Sequence, residues 1–413
     1  MPPSLHSVLG ASSAHRWLAC TPSARLGEKL DKRYGRKESA FAAEGTKAHE
    51  LGEIKIRNAV YHADGMTTAI YSRMSADEKK VYPGINDARY KALREGLGDI
   101  PDDMEHATDS YCDIVMEKLL RAREADPSAQ ILLEQRLDYS RYVPSGFGTG
   151  DCIIVSDILL EIIDYKHGKG IPVNAVNNPQ LRLYALGADE IFSYMYDYTS
   201  VRYTIVQPRL DSVSEECLPI DELKQWAMAE VVEKAKLAWR GTGEFHPGEH
   251  CRFCSAKAVC SARVAESLKL FNTGLEAVGV ITDEQVADIL PMLNEAEEWI
   301  KDIRAYAENQ ARNGVKIRGY KLVQGKRPNR QWSDPDEVEA ALLRAGYPIE
   351  DFRETKLKPV GQVEKALGKT AFRAILDGLV YQGEGKPTLV PDSDKRIEIN
   401  SADAAFADLI ESP

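Results

Sequence analysis

The chain has 413 residues, a length that holds two or three domains, or one large domain with an appendage. Its formal charge of −11 argues against a protein that coats nucleic acid, but leaves room for an enzyme with a local basic channel. No apolar run approaches the roughly 18 residues of a membrane span, no secretion signal is evident, and seven cysteines, an odd number, fit a reducing cytoplasm with thiol or metal chemistry.

Residues 1–30 read as a helical start, with Ser12 and Ser13 capping a helix through Trp17 and Cys20 preceding Pro22. The charged stretch 31–40 reads as a loop. Residues 41–60 predict a helix on which His49 and Glu53 share a face. Glu44 and Glu53 lie near His49 without an assigned role. Helices are predicted over Ala76–Leu97 and Met104–Ala125, joined through Gly98 to Pro101, as an insertion beside the core. Ile131–Tyr139 reads as the first strand, with Glu134 inside it as an edge-strand charge or a site candidate.

The stretch from Gly148 to Tyr184 organises the chain. Cys152–Val155 and Ile158–Ile163 are short apolar runs around the polar pair Ser156 and Asp157, the pattern of a β-hairpin. Asp151 begins the first run and Asp164 ends the second, so antiparallel pairing brings both carboxylates to one edge. Lys166 lies two residues beyond Asp164, on the same face. Two carboxylates suit a hard divalent cation that keeps waters and phosphate oxygens as its other ligands. The lysine suits holding a water or offsetting charge at phosphorus. Two surface aspartates beside an ordinary hairpin have the same pattern. Asn177–Glu190 predicts a helix with Gln180 and Tyr184 one turn apart.

Ser200–Gln207 reads as a strand. Asp211–Arg240 reads as mostly helical, capped by Asp211 or Ser212 and ended by Gly241, Thr242 and Gly243. Cys251, Cys254 and Cys260 form a C-x₂-C-x₅-C run, a metal-like spacing with one position vacant, which Cys20 can fill. Four thiolates suit zinc or an iron–sulfur cluster, and spacing does not choose between them. His250 adjoins the run without being taken as a ligand; Cys112, Cys152 and Cys217 read as packing residues. Ile281–Asn313 predicts a long helix. The segment from Arg312 to Arg330 carries seven cations and no Asp or Glu, and reads as a hairpin around Gly325. Lys326, Arg327 and Arg330 are its candidate DNA contacts; a solvated charged loop is the alternative. Asp334–Ala345 and Val363–Asp377 predict short helices before a Pro-punctuated tail. Gly368, Lys369 and Thr370 lack the glycine spacing and leading strand of a phosphate-binding loop.

A glycine-led aspartate (Gly148 to Asp151), Asp164-x-Lys166 and Gln180-x-x-x-Tyr184 together resemble the PD-(D/E)xK nuclease superfamily. More narrowly they resemble its RecB-like branch, which includes the nuclease domains of RecB and AddB and CRISPR-associated exonucleases. Gly150, not proline, precedes Asp151, as is common in the branch. Gly45, Thr46 and His49 look like the branch's N-terminal histidine motif. The resemblance implies an α/β restriction-endonuclease-like core over residues 1–270, with helical insertions and a cysteine clasp joining its two ends. A mostly helical, basic extension would follow over 271–413.

It further implies Mg²⁺ or Mn²⁺ on His49, Asp151, Asp164 and the Tyr165 carbonyl. Lys166 would position the attacking water, and Gln180 and Tyr184 would orient Lys166 and a substrate phosphate. Cys20, Cys251, Cys254 and Cys260 would hold a [4Fe–4S] cluster, with zinc the alternative. The layout of the whole chain looks like a family of phage and prophage RecB-like proteins. The expected activity is a DNA exonuclease in the bacterial host cytoplasm, acting in recombination, replication or end processing. Its partners would be DNA ends and a phage recombinase or single-strand-binding protein. The alternatives are a DNA-binding accessory with a dispensable site and a structural zinc-binding interaction protein.

Overall fold

In this computed structural model the described residues are 7–34, 40–269, 283–353, 357–383, 385 and 388–391. The chain divides into two units, Met1–Gly279 and Val280–Pro413. In the first, α1 (Ala14–Ala19), α2 (Ser23–Tyr34), α3 (Ala40–Ala63), α4 (Thr68–Arg73), α5 (Ala76–Val81), α6 (Asp87–Gly96) and α7 (Asp102–Ala125) precede the sheet. Then come β1 (Gln130–Asp138), β2 (Phe147–Val155), β3 (Leu159–Tyr165), α8 (Pro179–Phe192), β4 (Ser200–Gln207), β5 (Ser212–Pro219), α9 (Ile220–Trp226), α10 (Val232–Arg240) and α11 (Ser261–Lys269).

The five strands lie side by side in chain order. All neighbours are antiparallel except β3 and β4, which run parallel. A parallel pair needs a crossover, and α8 supplies it. Successive side chains of the central strands enter two cores in turn. Ile153, Val155, Leu160, Ile162, Tyr203 and Ile205 pack in one core that includes residues of α1, α8, α9 and α10. Cys152, Ile154, Ile163, Tyr165 and Val206 pack in the other, with α3 and α7. Covering both faces explains why β2 and β3 are apolar almost without interruption. Each large apolar side chain so buried contributes about 1.5–3 kcal/mol.

Local chemistry sets the crossover helix. Pro179 occupies its first turn, and the Asn178 side chain accepts the backbone N–H groups of Gln180 and Leu181. A Cβ at Gly187 would sit 2.9 Å from Leu137 Cβ, so glycine lets α8 lie close on β1. A Cβ at Gly148 would sit 2.8 Å from the Tyr184 ring. Small residues on helix and strand thus press Gln180 and Tyr184 towards the ends of β2 and β3.

Several expected elements need correction. The stretch 31–34 continues α2, and 35–39 lie outside the described residues. Ala76–Leu97 is two helices, because Pro83 interrupts the pattern and Asn86 caps a new start. Asp211–Arg240 begins with a strand: Asp211 turns the chain at φ +49, and Ser212–Pro219 pairs along β4 before α9. This strand lies at the sheet edge, and its inward-facing positions Ser212, Ser214 and Glu216 are polar, so it carries no apolar alternation to mark it. Val363–Asp377 is likewise two helices, parted at Gly368 with φ +80.

The second unit contains α12 (Asp283–Arg312), β6 (Tyr320–Val323), β7 (Gln331–Trp332), α13 (Pro335–Arg344), α14 (Ile349–Phe352), α15 (Val360–Leu367), α16 (Lys369–Leu376), β8 (Val380–Tyr381) and β9 (Thr388–Pro391). Val338, Leu342, Phe352, Val363, Phe372 and Leu376 form its core. The expected hairpin around Gly325 is absent among the described residues. Its two arms pair elsewhere, β6 with β9 and β7 with β8. Gly385 lies against the Gly325 carbonyl with no room for a Cβ, so partners distant in sequence take the place of a local turn.

Candidate functional site

The site is built where β2 and β3 separate. Their ladder runs from Val155 opposite Leu160 to Cys152 opposite Ile163 and stops. Beyond it the Tyr165 N–H, freed from the ladder, donates to Asp151 Oδ2 at 2.8 Å. The Lys166 N–H turns to the Val206 carbonyl at 2.9 Å. The hairpin therefore opens like a fork, and Asp151 spans the gap.

Asp164 and Lys166 meet as their shared face predicts. Lys166 Nζ lies 2.6 Å from Asp164 Oδ2, an ion pair at a buried oxygen that receives no hydrogen bond. Gln180 joins them: its Oε1 accepts from Lys166 Nζ at 3.1 Å and its Nε2 donates to Asp164 Oδ1 at 3.0 Å. The same amide nitrogen lies 3.4 Å from the Tyr184 hydroxyl. Burial pushes the Asp164 carboxyl up, with Lys166 opposing that shift. Asp151 is half-buried; desolvation works against its charge, yet His49 and Lys166 hold its carboxyl below the usual range. Burial opposes charge on Lys166, but the two aspartates keep the ammonium above its ordinary value.

His49 comes from α3, whose Ala48, Leu51, Ile56 and Val60 are buried against the sheet. Its Nδ1 lies 3.3 Å from Asp151 Oδ2, and its ring meets Tyr165 edge-on at 5.3 Å. Burial disfavours the imidazolium, but Asp151 outweighs that and pushes the imidazole up to about 9. Among the described residues, His49, Glu134 and Asp151 place ligand atoms within 4.8 Å of one another. Asp164 is not a member of this trio; its carboxylate is engaged by Lys166 and Gln180.

Glu134 is the residue that sequence reasoning valued least. Leu133 pairs with Cys152 and Gln135 with Gly150, so Glu134 falls opposite Asp151 in the register. Its φ of +50 is unusual for a residue with a side chain, above all inside a strand. The crowding of its carboxyl and the nearby Asp151 push it up to about 7. In the sequence only its place as a charge inside the first strand marks it.

A second group went unnoticed. The buried His167 takes the Tyr165 hydroxyl at its Nδ1, 2.8 Å away, and Glu44 Oε1 at its Nε2, 3.2 Å away. Arg209 donates to Glu44 at 2.7 Å and to Asp103 at 2.6 Å. These contacts tie α3, α7 and the end of β4 to the strand bearing Asp164. Glu53 instead pairs with Arg57 at 2.7 Å.

The cysteines expected to act together do converge. Cys20, Cys251, Cys254 and Cys260 line one cavity, with His246 and His250 at its wall. Neighbouring contacts join the same segments: Thr21 Oγ1 donates to the Thr242 carbonyl at 2.7 Å, and Arg25 Nε to the Trp239 carbonyl at 2.6 Å. His15 meets Phe253 edge-on at 5.7 Å. Cys152 is buried and Cys112 half-buried, as packing residues would be, whereas Cys217 is exposed.

In the second unit Lys326 and Arg327 are exposed. Arg330 pairs with Glu364 and lies 5.4 Å over the Phe372 ring, contacts that hold it to α15 and α16. Among the described residues no helix is long and apolar enough to cross a membrane.

A solved structure called "Crystal structure of SSO0001" aligns at 14% identity over 57% of this chain and 94% of that one, with a TM-score of 0.20. A likeness that slight carries no argument about fold or function. Residues 6–397 match the family described as Protein of unknown function (DUF2800). That match spans most of the sequence, and the chain belongs to the DUF2800 family.

Proposed function

We propose that the first unit is a metal-dependent nuclease with a RecB-type PD-(D/E)xK core, hydrolysing DNA phosphodiesters from ends. One observation carries the reading. Asp151, Asp164 and Lys166 converge where two strands part, with His49 beside Asp151 and Gln180 linking Asp164 to Lys166. An ordinary surface hairpin has no reason to bury the Asp164 carboxylate in an ion pair with Lys166 beside a second carboxylate.

The donor set of one imidazole and several carboxylates fits Mg²⁺ or Mn²⁺. His49, Glu134 and Asp151 would hold the cation, and Asp164 and the Tyr165 carbonyl would be its further ligands. When bound, the cation polarises a phosphoryl oxygen and acidifies a water. Lys166, kept charged by its two carboxylates, holds the water and offsets charge developing on the phosphate. Gln180 fixes the lysine's direction, and Tyr184 supports the amide from one turn along α8.

The cavity lined by Cys20, Cys251, Cys254 and Cys260 supplies the four thiolates of an iron–sulfur cluster, one to each iron of a cubane; zinc takes the same set. The setting that follows is end processing in phage recombination or replication, in a bacterial cytoplasm with a recombinase or single-strand-binding partner. Digestion of end-labelled single- and double-stranded DNA, with and without Mn²⁺, tests the activity; protein that leaves both intact sinks it.

A further inference from the structure

The cysteine cavity shares a wall with an open cleft. Leu26 and Phe245 line both. The cleft measures about 290 Å³ and is also lined by Arg25, Lys29, Arg240 and Gly241. That volume sits at the lower edge of small-ligand pockets, about 300 Å³. Arg25 and Lys29 are one turn apart on α2. Gly241 ends α10 at φ +71, and a Cβ there would sit 2.7 Å from Arg25 Cβ. Glycine thus lets the end of one helix close on the flank of the other, which fixes the cleft's shape.

Its chemistry is one-sided, since no acidic residue lines it. Arg25 is occupied: it donates to Glu28 and to the Trp239 carbonyl, and stacks 4.2 Å over the Trp239 ring. Lys29 and Arg240 are exposed, and among the described residues neither has an anionic partner. Phe245 exposes 44% of its surface beside them. A cation in the last turn of α10 complements that helix's dipole, which accounts for Arg240 alone. It does not account for Lys29 or for the exposed ring. In a chain of charge −11, two free cations around an aromatic face make an anion site with a flat platform.

We propose that this cleft docks one nucleotide unit of a single DNA strand, with phosphate on Lys29 and Arg240 and a base stacked on Phe245. The proposal rests on DNA being the substrate, and it names where a strand is gripped apart from the cutting site. Cations tracking the backbone and aromatics taking bases are how strands are held without sequence preference.

Fluorescence anisotropy of a labelled oligothymidylate on the full chain, with divalent cations omitted and NaCl varied, tests it. Lys29→Gln with Arg240→Gln should lower the magnitude of the slope of log K against log salt by about 0.7, the share of one phosphate. Phe245→Leu keeps an apolar wall but removes the ring. It should weaken binding about 5- to 150-fold and leave the slope alone. Unchanged melting temperatures establish that the variants are folded. Wild-type affinity and slope in both variants, or a wild-type chain that binds no strand, overturns the proposal. Displacement of the strand by millimolar orthophosphate assigns the cleft to a free anion and also overturns it. Manganese-dependent hydrolysis by the wild-type chain is scored separately. Binding without hydrolysis sinks the nuclease and leaves the cleft standing; hydrolysis with unaltered variants does the reverse.

Discussion

The Tyr165 backbone N–H donates to Asp151 Oδ2 at 2.8 Å across the gap where β2 and β3 part. One carboxylate oxygen thereby replaces a rung of the sheet and also faces His49 Nδ1 at 3.3 Å. Asp151→Asn can keep the rung, because an amide oxygen still accepts the N–H, but it removes the negative charge. The variant should melt within about 1.5 kcal/mol of wild type, the net worth of one hydrogen bond. Its Mn²⁺ affinity, read by titration calorimetry, should fall at least about tenfold. Equal affinity would exclude Asp151 from the metal site.

Glu134 makes a sharper test, because its two roles pull in opposite directions. A side chain held at positive φ costs about 1–3 kcal/mol, which glycine avoids. Glu134→Gly should therefore raise stability by about 1 kcal/mol in urea unfolding while weakening Mn²⁺ binding. Loss of stability with no change in metal affinity would make Glu134 a purely structural residue.

What could be read from the sequence followed from local pattern. Asp151, Asp164, Lys166, Gln180 and Tyr184 lie within one hairpin and its crossover helix, so strand alternation and helix spacing were enough to bring them together. Glu134 reads in the sequence as an edge-strand charge or a site candidate, because what separates the two is strand register and a backbone angle, neither of which composition reveals. His167, Glu44 and Arg209 meet from three distant segments, each with an ordinary local sequence. The edge strand β5 reads as part of a helical stretch because its inward positions, Ser212, Ser214 and Glu216, are polar, so its alternating burial leaves no apolar period of two. In the second unit, β6 and β7 found partners beyond residue 379 that no nearby turn signal announced.

The His167 group should act on the metal through Tyr165, whose ring touches His49 and whose N–H holds Asp151. His167→Phe removes the partner of the buried Tyr165 hydroxyl, a loss of about 1–3 kcal/mol. If the group positions the site, Mn²⁺ affinity should also fall about 10- to 100-fold, as for other residues that orient metal ligands. A variant that loses stability but binds Mn²⁺ normally would confine His167 to packing.

The clasp can be separated from its neighbours. Cys20→Ser should lose iron, about four atoms per chain in wild-type protein purified without oxygen, and lower the melting temperature. Thr21→Val removes only the bond to the Thr242 carbonyl, costs about 1 kcal/mol, and should keep its iron. Colourless wild-type protein with one zinc per chain would contradict the cluster.

Hydrolysis at the fork of β2 and β3 is the decisive property of the chain. Linear DNA should be degraded by the wild-type chain with Mn²⁺ and left intact with chelator. Lys166→Met keeps the length of the side chain but removes the ammonium held between Asp164 and Gln180. Its single-turnover cleavage rate should fall about 10²- to 10³-fold, the cost of losing one charge-stabilising donor, with melting temperature within a few degrees of wild type. Cleavage by Lys166→Met at the wild-type rate, or an inert wild-type chain carrying bound Mn²⁺, would contradict the account.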